Sequence, residues 1–167
     1  MQNKTRILAL LGVSTAIAMI LSYIEFLLPP IFSAVPGIKM GLANVIIIFL
    51  LYKLDFKSAL AVSFVRVCLS SLLFGTSLTF LYSFCGAMLS ICLMLVAKRI
   101  GCFSTVGVSI VGGVSHNLGQ IAVAMLVLRT YEIGYYMAVL AVSGTIAGVF
   151  IGLTAAFLIK YVKLSRK

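Results

Sequence analysis

Acidic residues are almost missing from this chain of 167 residues: Glu25, Asp55 and Glu132 stand against thirteen Lys and Arg and one His. A chain that is 63% hydrophobic and only 10% charged cannot surround itself with the charged shell a soluble domain needs, which excludes a soluble globule. The three acids lie far apart in sequence and make none of the paired carboxylates that hold magnesium on a diphosphate. That argues against a prenyl diphosphate synthase acting alone. A phosphate-binding glycine loop with Lys and Ser/Thr is also missing, so no nucleotide-driven motor is encoded. Cys68, Cys85, Cys92 and Cys102 show no Cys-x-x-Cys spacing, and three of them fall in apolar segments, as small packing residues rather than metal or disulfide partners. No catalytic residue, metal site or cofactor is expected.

What is present is a succession of long apolar segments, the signature of an all-α integral membrane protein. Six helices are expected, near Ile7 to Leu28, Gly37 to Tyr52, Ser58 to Phe74, Leu78 to Ala97, Ser104 to Leu128 and Gly134 to Ile159, forming a single transmembrane domain over 1–167. A crossing needs roughly 20 residues, so the second and third are short. The second follows Pro29, Pro30, Pro36 and Gly37, and a bent or re-entrant segment is the alternative there. The first segment has no small-residue cleavage site followed by a polar region, so it reads as a retained helix.

Twelve of the thirteen cations sit at segment ends. Placing both termini in the cytoplasm puts Lys4, Arg6, Lys53, Lys57, Lys98, Arg99, Lys160, Lys163, Arg166 and Lys167 on that side, and leaves Lys39 and Arg129 outside. This is the bias of a multi-pass membrane protein, and it explains the positive charge without nucleic acid as a partner. Lys39 and Arg129 either attract an anion or snorkel to the interface.

The remaining cation, Arg66, falls in mid-segment, where insertion costs roughly 2.5–3.5 kcal/mol. It is either a structural ion pair, with Glu25 as the candidate partner, or the fork that meets a carboxylate or phosphate of a solute. At about 100° per residue, Gly112, Ser115 and Gly119 group on one face of the fifth helix, and His116, Asn117 and Gln120 on another. The small face suits packing. The polar face, near mid-membrane, needs partners and suits a cavity surface. Gly144, Gly148 and Gly152 on the sixth helix have the small-xxx-small spacing of close helix packing, internal or between copies. Gly12 and Ala16, with Ser14 and Ala18, make a shorter pair on the first, for self-packing or a partner helix. Phe74, Phe80 and Tyr82 are available to stack an aromatic ring.

The stretches PGIKMGLANV (Pro36 to Val45), RVCLSSLLFG (Arg66 to Gly75) and SIVGGVSHNLGQI (Ser109 to Ile121) resemble the signature segments of the heptaprenyl diphosphate synthase component I family, also called the Gx transporter family. The resemblance runs over nearly the whole chain in order and spacing. That family is similar to the S components of energy-coupling factor transporters, six-helix membrane proteins that capture a vitamin or related nutrient. The resemblance implies an S-component-like bundle in a bacterial plasma membrane, binding a small-molecule solute. It also implies an energy-coupling membrane subunit with two ATPases as partner, docked on the first helix at Gly12 and Ala16. In S components the loop after the first helix covers the pocket; the matching stretch is Pro29 to Lys39, which puts Lys39 and Asn44 at the lid and pocket edge. The expected solute site is thus Lys39, Asn44, Arg66, His116, Asn117 and Gln120. The alternative implied by the family's name is a membrane accessory subunit of heptaprenyl diphosphate synthase. A purely structural scaffold is the third reading.

Overall fold

The computed structural model of the protein describes residues 2–27, 41–129 and 131–162, and every regular element among them is helical. The order is α1 (Gln2–Leu27), α2 (Asn44–Lys53), α3 (Phe56–Phe74), α4 (Ser77–Ile100), α5 (Thr105–Leu128), a short 3-10 helix η1 (Tyr131–Tyr136) and α6 (Met137–Tyr161). α3, α4 and α5 begin where a short polar side chain takes an orphan N–H of the first turn. Asp55 accepts from the Ser58 N–H at 2.6 Å to start α3. Thr76 and Thr79 form a reciprocal capping box on α4, and Ser104 accepts from the Gly107 N–H on α5. Gly101, at φ +79°, ends α4 in the left-handed conformation that glycine adopts without steric cost.

Five of the six α-helical segments are long and apolar enough to cross a membrane, and α2 is not. Six α-helical segments are present as expected, and the second, expected to be short, is the one below spanning length among the described residues. The helix expected from Gly37 begins only at Asn44, because Gly41 sits at φ +80° and Leu42 and Ala43 form a turn. Its ten residues cover about 15 Å, half of the roughly 30 Å hydrocarbon core. The third helix, by contrast, runs 19 residues and qualifies as a span. Tyr131–Tyr136 winds as a 3-10 helix ahead of α6, which starts three residues later than expected.

α5 lies between α4 and α6, and these two interfaces are the most extensive in the bundle. Glycine makes them possible. A methyl added at Gly113 would stand 2.5 Å from the Gly144 carbonyl oxygen, and one at Gly119 would stand 2.9 Å from the Gly86 Cα. Gly148 and Gly152 face Ile110 and Val106 in the same way. The glycine row of α6 therefore serves internal packing against α5. Two hydrogen bonds tie the layers: Ser90 Oγ donates to the Gly112 carbonyl at 2.8 Å, and Asn117 Nδ2 donates to the Leu140 carbonyl at 2.9 Å.

α2 packs between α3 and α6, with all residues from Asn44 to Leu51 buried. Around it the apolar core gathers Ala59 and Val62 of α3, Ile91, Met94 and Ala97 of α4, Val108 of α5, and Ile151 and Ala155 of α6. These residues come from the half of each helix nearest Lys53, Lys57, Lys98, Arg99 and Lys160, the basic end of the bundle. Lys98 fastens α2 there. Its Nζ donates to the Leu51 carbonyl and lies 4.7 Å from the Tyr52 ring centre, placing a cation on the orphan carbonyls of a helix C-terminus. α1 packs on α3 and lightly on α2. Ser14, Ala18, Ser22 and Glu25 are its buried stripe, at helical spacing, whereas Gly12 and Ala16 are exposed.

Gly113→Ala is expected to lower stability by about 1–3 kcal/mol through overpacking. Gly12→Ala, where an added methyl meets nothing within 4 Å, should leave it unchanged or slightly higher. Thermal melts of the two variants in detergent compare them directly.

The Ser58 backbone N–H, and then its hydroxyl, hold the Asp55 carboxyl below the usual carboxylate range. The sign follows: a carboxyl lowered in the folded state contributes fully above its unfolded value, about 3.9, and the contribution fades as pH falls through the folded value. Asp55→Ala should cost about 1 kcal/mol at neutral pH. Asp55→Asn, which keeps the cap but does not titrate, should remove the Asp55 share of the acid-side loss. Melting temperatures of the three proteins from neutral pH into the acid range test this.

Candidate functional site

Polar side chains are buried most densely away from the basic end. At 1.5 Å per residue, Arg66 lies about 15 Å from the start of α3 and His116 about 17 Å from the start of α5. The start of α2, at Asn44, comes at a similar depth. Beyond that level α2 contributes no further helix, and Ser70 and Ser71 of α3, Tyr82 and Ser83 of α4, Gln120 of α5, and Ser22 and Glu25 of α1 are all buried.

Arg66, only 5% exposed, is the charge around which one group forms. Its Nη1 donates to Ser22 Oγ at 3.4 Å, it interacts electrostatically with Glu25, and its Nε has no partner among the described residues. Glu25 also accepts from the Gly41 N–H, which ties the end of α1 to the approach to α2. Gly41 in turn accepts from the Asn44 N–H at 2.8 Å. The Asn44 amide covers Gly41 so closely that an added methyl there would stand 2.9 Å from its Nδ2. Arg66, Ser22, Glu25, Gly41 and Asn44 thus make one chain of polar contacts across three helices. Sequence reasoning named Arg66, Asn44 and Glu25 but missed Ser22 and Gly41. The signal for Ser22 was its place one turn before Glu25, on the Ser14–Ala18 stripe.

The three polar residues of α5 separate. Asn117 turns to α6, where its amide holds the Leu140 carbonyl. His116 and Gln120 turn to α4: a methyl added at Gly86 would stand 3.3 Å from His116 Cε1 and 2.9 Å from Gln120 Cγ. Gly112 and Gly119, expected on a different face, pack on α4 as well, against Met94 and Gly86. Both the Oε1 and the Nε2 of Gln120 are buried without a hydrogen-bond partner among the described residues, as is Ser83 Oγ on α4. The antiparallel register that sets Ser90 against Gly112 and Gly86 against His116 brings Ser83 to the level of Gln120.

α3, which carries Arg66, and α5, which carries His116 and Gln120, both pack on α4. Lys39 lies outside the described residues, as does the lid stretch Pro29 to Lys39. Phe74 pairs with Tyr23 and Phe26 of α1 at 5.0 and 5.7 Å, and Phe80 stacks on Phe84 at 5.7 Å, so both rings are engaged in packing. Among the described residues no three His, Cys, Asp or Glu side chains gather as a metal site would require.

Five long apolar helices and a half-length one, with a buried arginine and an amide unpartnered among the described residues, fit a multi-pass helical membrane protein. The chain belongs to the heptaprenyl diphosphate synthase component I family, whose model matches residues 14–158. No curated protein and no solved structure matches it.

An amide buried without partners costs about 1–3 kcal/mol per unsatisfied group. Gln120→Met, close in volume and without polar atoms, is therefore expected to raise the melting temperature of the solute-free protein. Asn117→Leu, which leaves a helix carbonyl without its side-chain donor, should lower it. A fall in both would mean that Gln120 is held by an internal partner and is structural.

Proposed function

We propose that this protein is a membrane-embedded solute-capture subunit of an uptake system, similar to the S components of energy-coupling factor transporters. The observation that supports the reading is the Gln120 amide, buried with donor and acceptor both unpartnered among the described residues. Evolution tolerates such a cost chiefly where a ligand removes it. Arg66 would take a carboxylate or phosphate of a small nutrient, its Nε having no partner among the described residues. Gln120, His116 and Asn44 would set the solute's orientation, Lys39 would lie at the pocket edge, and Asn117 would hold the α5 wall to α6. α2 begins at Asn44, at about the depth of Arg66, so a solute on the side away from the lysines would meet its N-terminal end. With those lysines in the cytoplasm of a bacterial cell, the pocket opens outward. The exposed Gly12 and Ala16 of α1 would receive the coupling subunit that brings two ATPases, with close approach between helices as the attraction.

The description of the family supports a second reading, a membrane accessory subunit of heptaprenyl diphosphate synthase. There the basic end, with Lys53, Lys57, Arg99 and Lys160, would hold a soluble catalytic partner at the membrane.

Affinity purification of the tagged protein in mild detergent, with mass spectrometry of co-purifying small molecules and proteins, separates the two. The uptake reading expects a bound anionic metabolite whose occupancy falls roughly tenfold or more in Arg66→Gln, together with a coupling subunit and ATPases. A prenyl synthase recovered without any solute would replace it with the second reading. An Arg66→Gln variant that stays folded and keeps full occupancy would sink the site assignment.

A further inference from the structure

At the end of the bundle away from the lysines, α5 and η1 border an open groove of about 530 Å³ lined by Ala122, Met125, Leu126, Arg129 and Tyr131. Its volume falls within the range of ligand sites. Ala122, Met125, Leu126 and Arg129 follow one another at helical i, i+3, i+4, i+7 spacing, so the lining is one stripe running along α5 for about 10 Å. The stripe is apolar over its length and ends in a guanidinium. Arg129 closes α5 in the left-handed conformation, φ +49°, and η1 turns back from there so that Gly134 approaches Met125 Sδ. The surroundings face lipid: Leu126 is 78% exposed, and Leu128, Tyr131 and Tyr135 are exposed beside it. Tyrosines at the end of an apolar span are characteristic of the headgroup level of a bilayer. Glu132, the exposed acid at this end, is no part of the lining.

We propose that this slot binds an anionic phospholipid, with the phosphate at Arg129 and one acyl chain along Ala122, Met125 and Leu126. A water-soluble anion would use the guanidinium but not the apolar stripe, which opens sideways to hydrocarbon. An amphiphile uses both. The phosphate and the Arg129 fork make a charge-assisted contact at the interface, where the Tyr131 hydroxyl is also placed to reach the headgroup. The acyl chain covers Ala122 and Leu126, both exposed among the described residues. The site involves none of Asn44, Arg66, His116 or Gln120, so it stands whichever function the polar interior serves.

Native mass spectrometry of the detergent-purified protein, offered phosphatidylglycerol and phosphatidylcholine in equal amounts, measures the selection. The wild type is expected to retain phosphatidylglycerol preferentially. Arg129→Asn keeps the left-handed preference while removing the charge, and should bring phosphatidylglycerol retention down roughly tenfold, to the level of phosphatidylcholine. Ala122→Phe, which fills the slot from a lipid-facing position, should weaken both. Thermal melts establish that each variant is folded, and a second removal of the charge by Arg129→Gln covers the case where one is not. Equal retention of the two lipids by the wild type, unchanged selection in the folded Arg129 variants, or no effect of Ala122→Phe would each overturn the lipid site. Displacement of phosphatidylglycerol by inorganic phosphate at the same concentration would make it a site for a free anion instead.

Discussion

A guanidinium carried to the middle of a helical bundle has to be neutralised from within, because neither hydrocarbon nor packed apolar side chains can solvate it. Arg66 imposes that requirement on α1, whose one buried stripe delivers Ser22 and Glu25 to it. Glu25, held near the cation, also accepts from the Gly41 N–H through Oε1. The place where α2 can begin is thereby tied to the position of α3. Four separate features of the chain, a mid-helix arginine, a serine and an acid one turn apart on α1, and a glycine in a turn, are explained by one charge.

The other half of the bundle is organised differently. Glycines bring α4, α5 and α6 to near-backbone contact, and dispersion between close helix surfaces replaces the hydrophobic drive that lipid does not supply. Ser90 and Asn117 then fix the register on either side of α5. α1 has no comparable grip. Among the described residues it touches the bundle along one stripe and presents Leu8, Val13, Ile20 and Leu27 outward, so the Ser22 and Glu25 contacts are its principal tie.

Much of the fold was legible in the sequence, for physical reasons that also explain the failures. The ends of α3, α5 and α6 came within two or three residues, because cations, caps and glycines mark the membrane boundary. The start of α2 was misplaced by seven residues: an apolar stretch reads as helix by composition, and nothing in it announces that Gly41 adopts a positive φ. The polar residues of α5 were rightly singled out as buried but wrongly placed on one face. A 100° step separates His116 from Asn117, and for a helix with a neighbour on one side only, that step changes little. α5 has neighbours on both sides, so adjacent residues there face different helices. The partner of Arg66 was half visible, since Glu25 stands out as one of three acids while Ser22 is one serine among many.

The apolar girdle around α2 has an electrical consequence. From Val45 to Leu51 every residue is buried and apolar, a layer about 10 Å thick at 1.5 Å per residue, clamped at its base by Lys98. Water that reached the level of Arg66 and His116 would find no polar group along α2 by which to continue. A chain of hydrogen-bonded waters, the usual conductor of protons, is interrupted there. α2 is thus an apolar plug between the level of Arg66 and the lysine end of the bundle, and any polar path past that level has to run along a different helix.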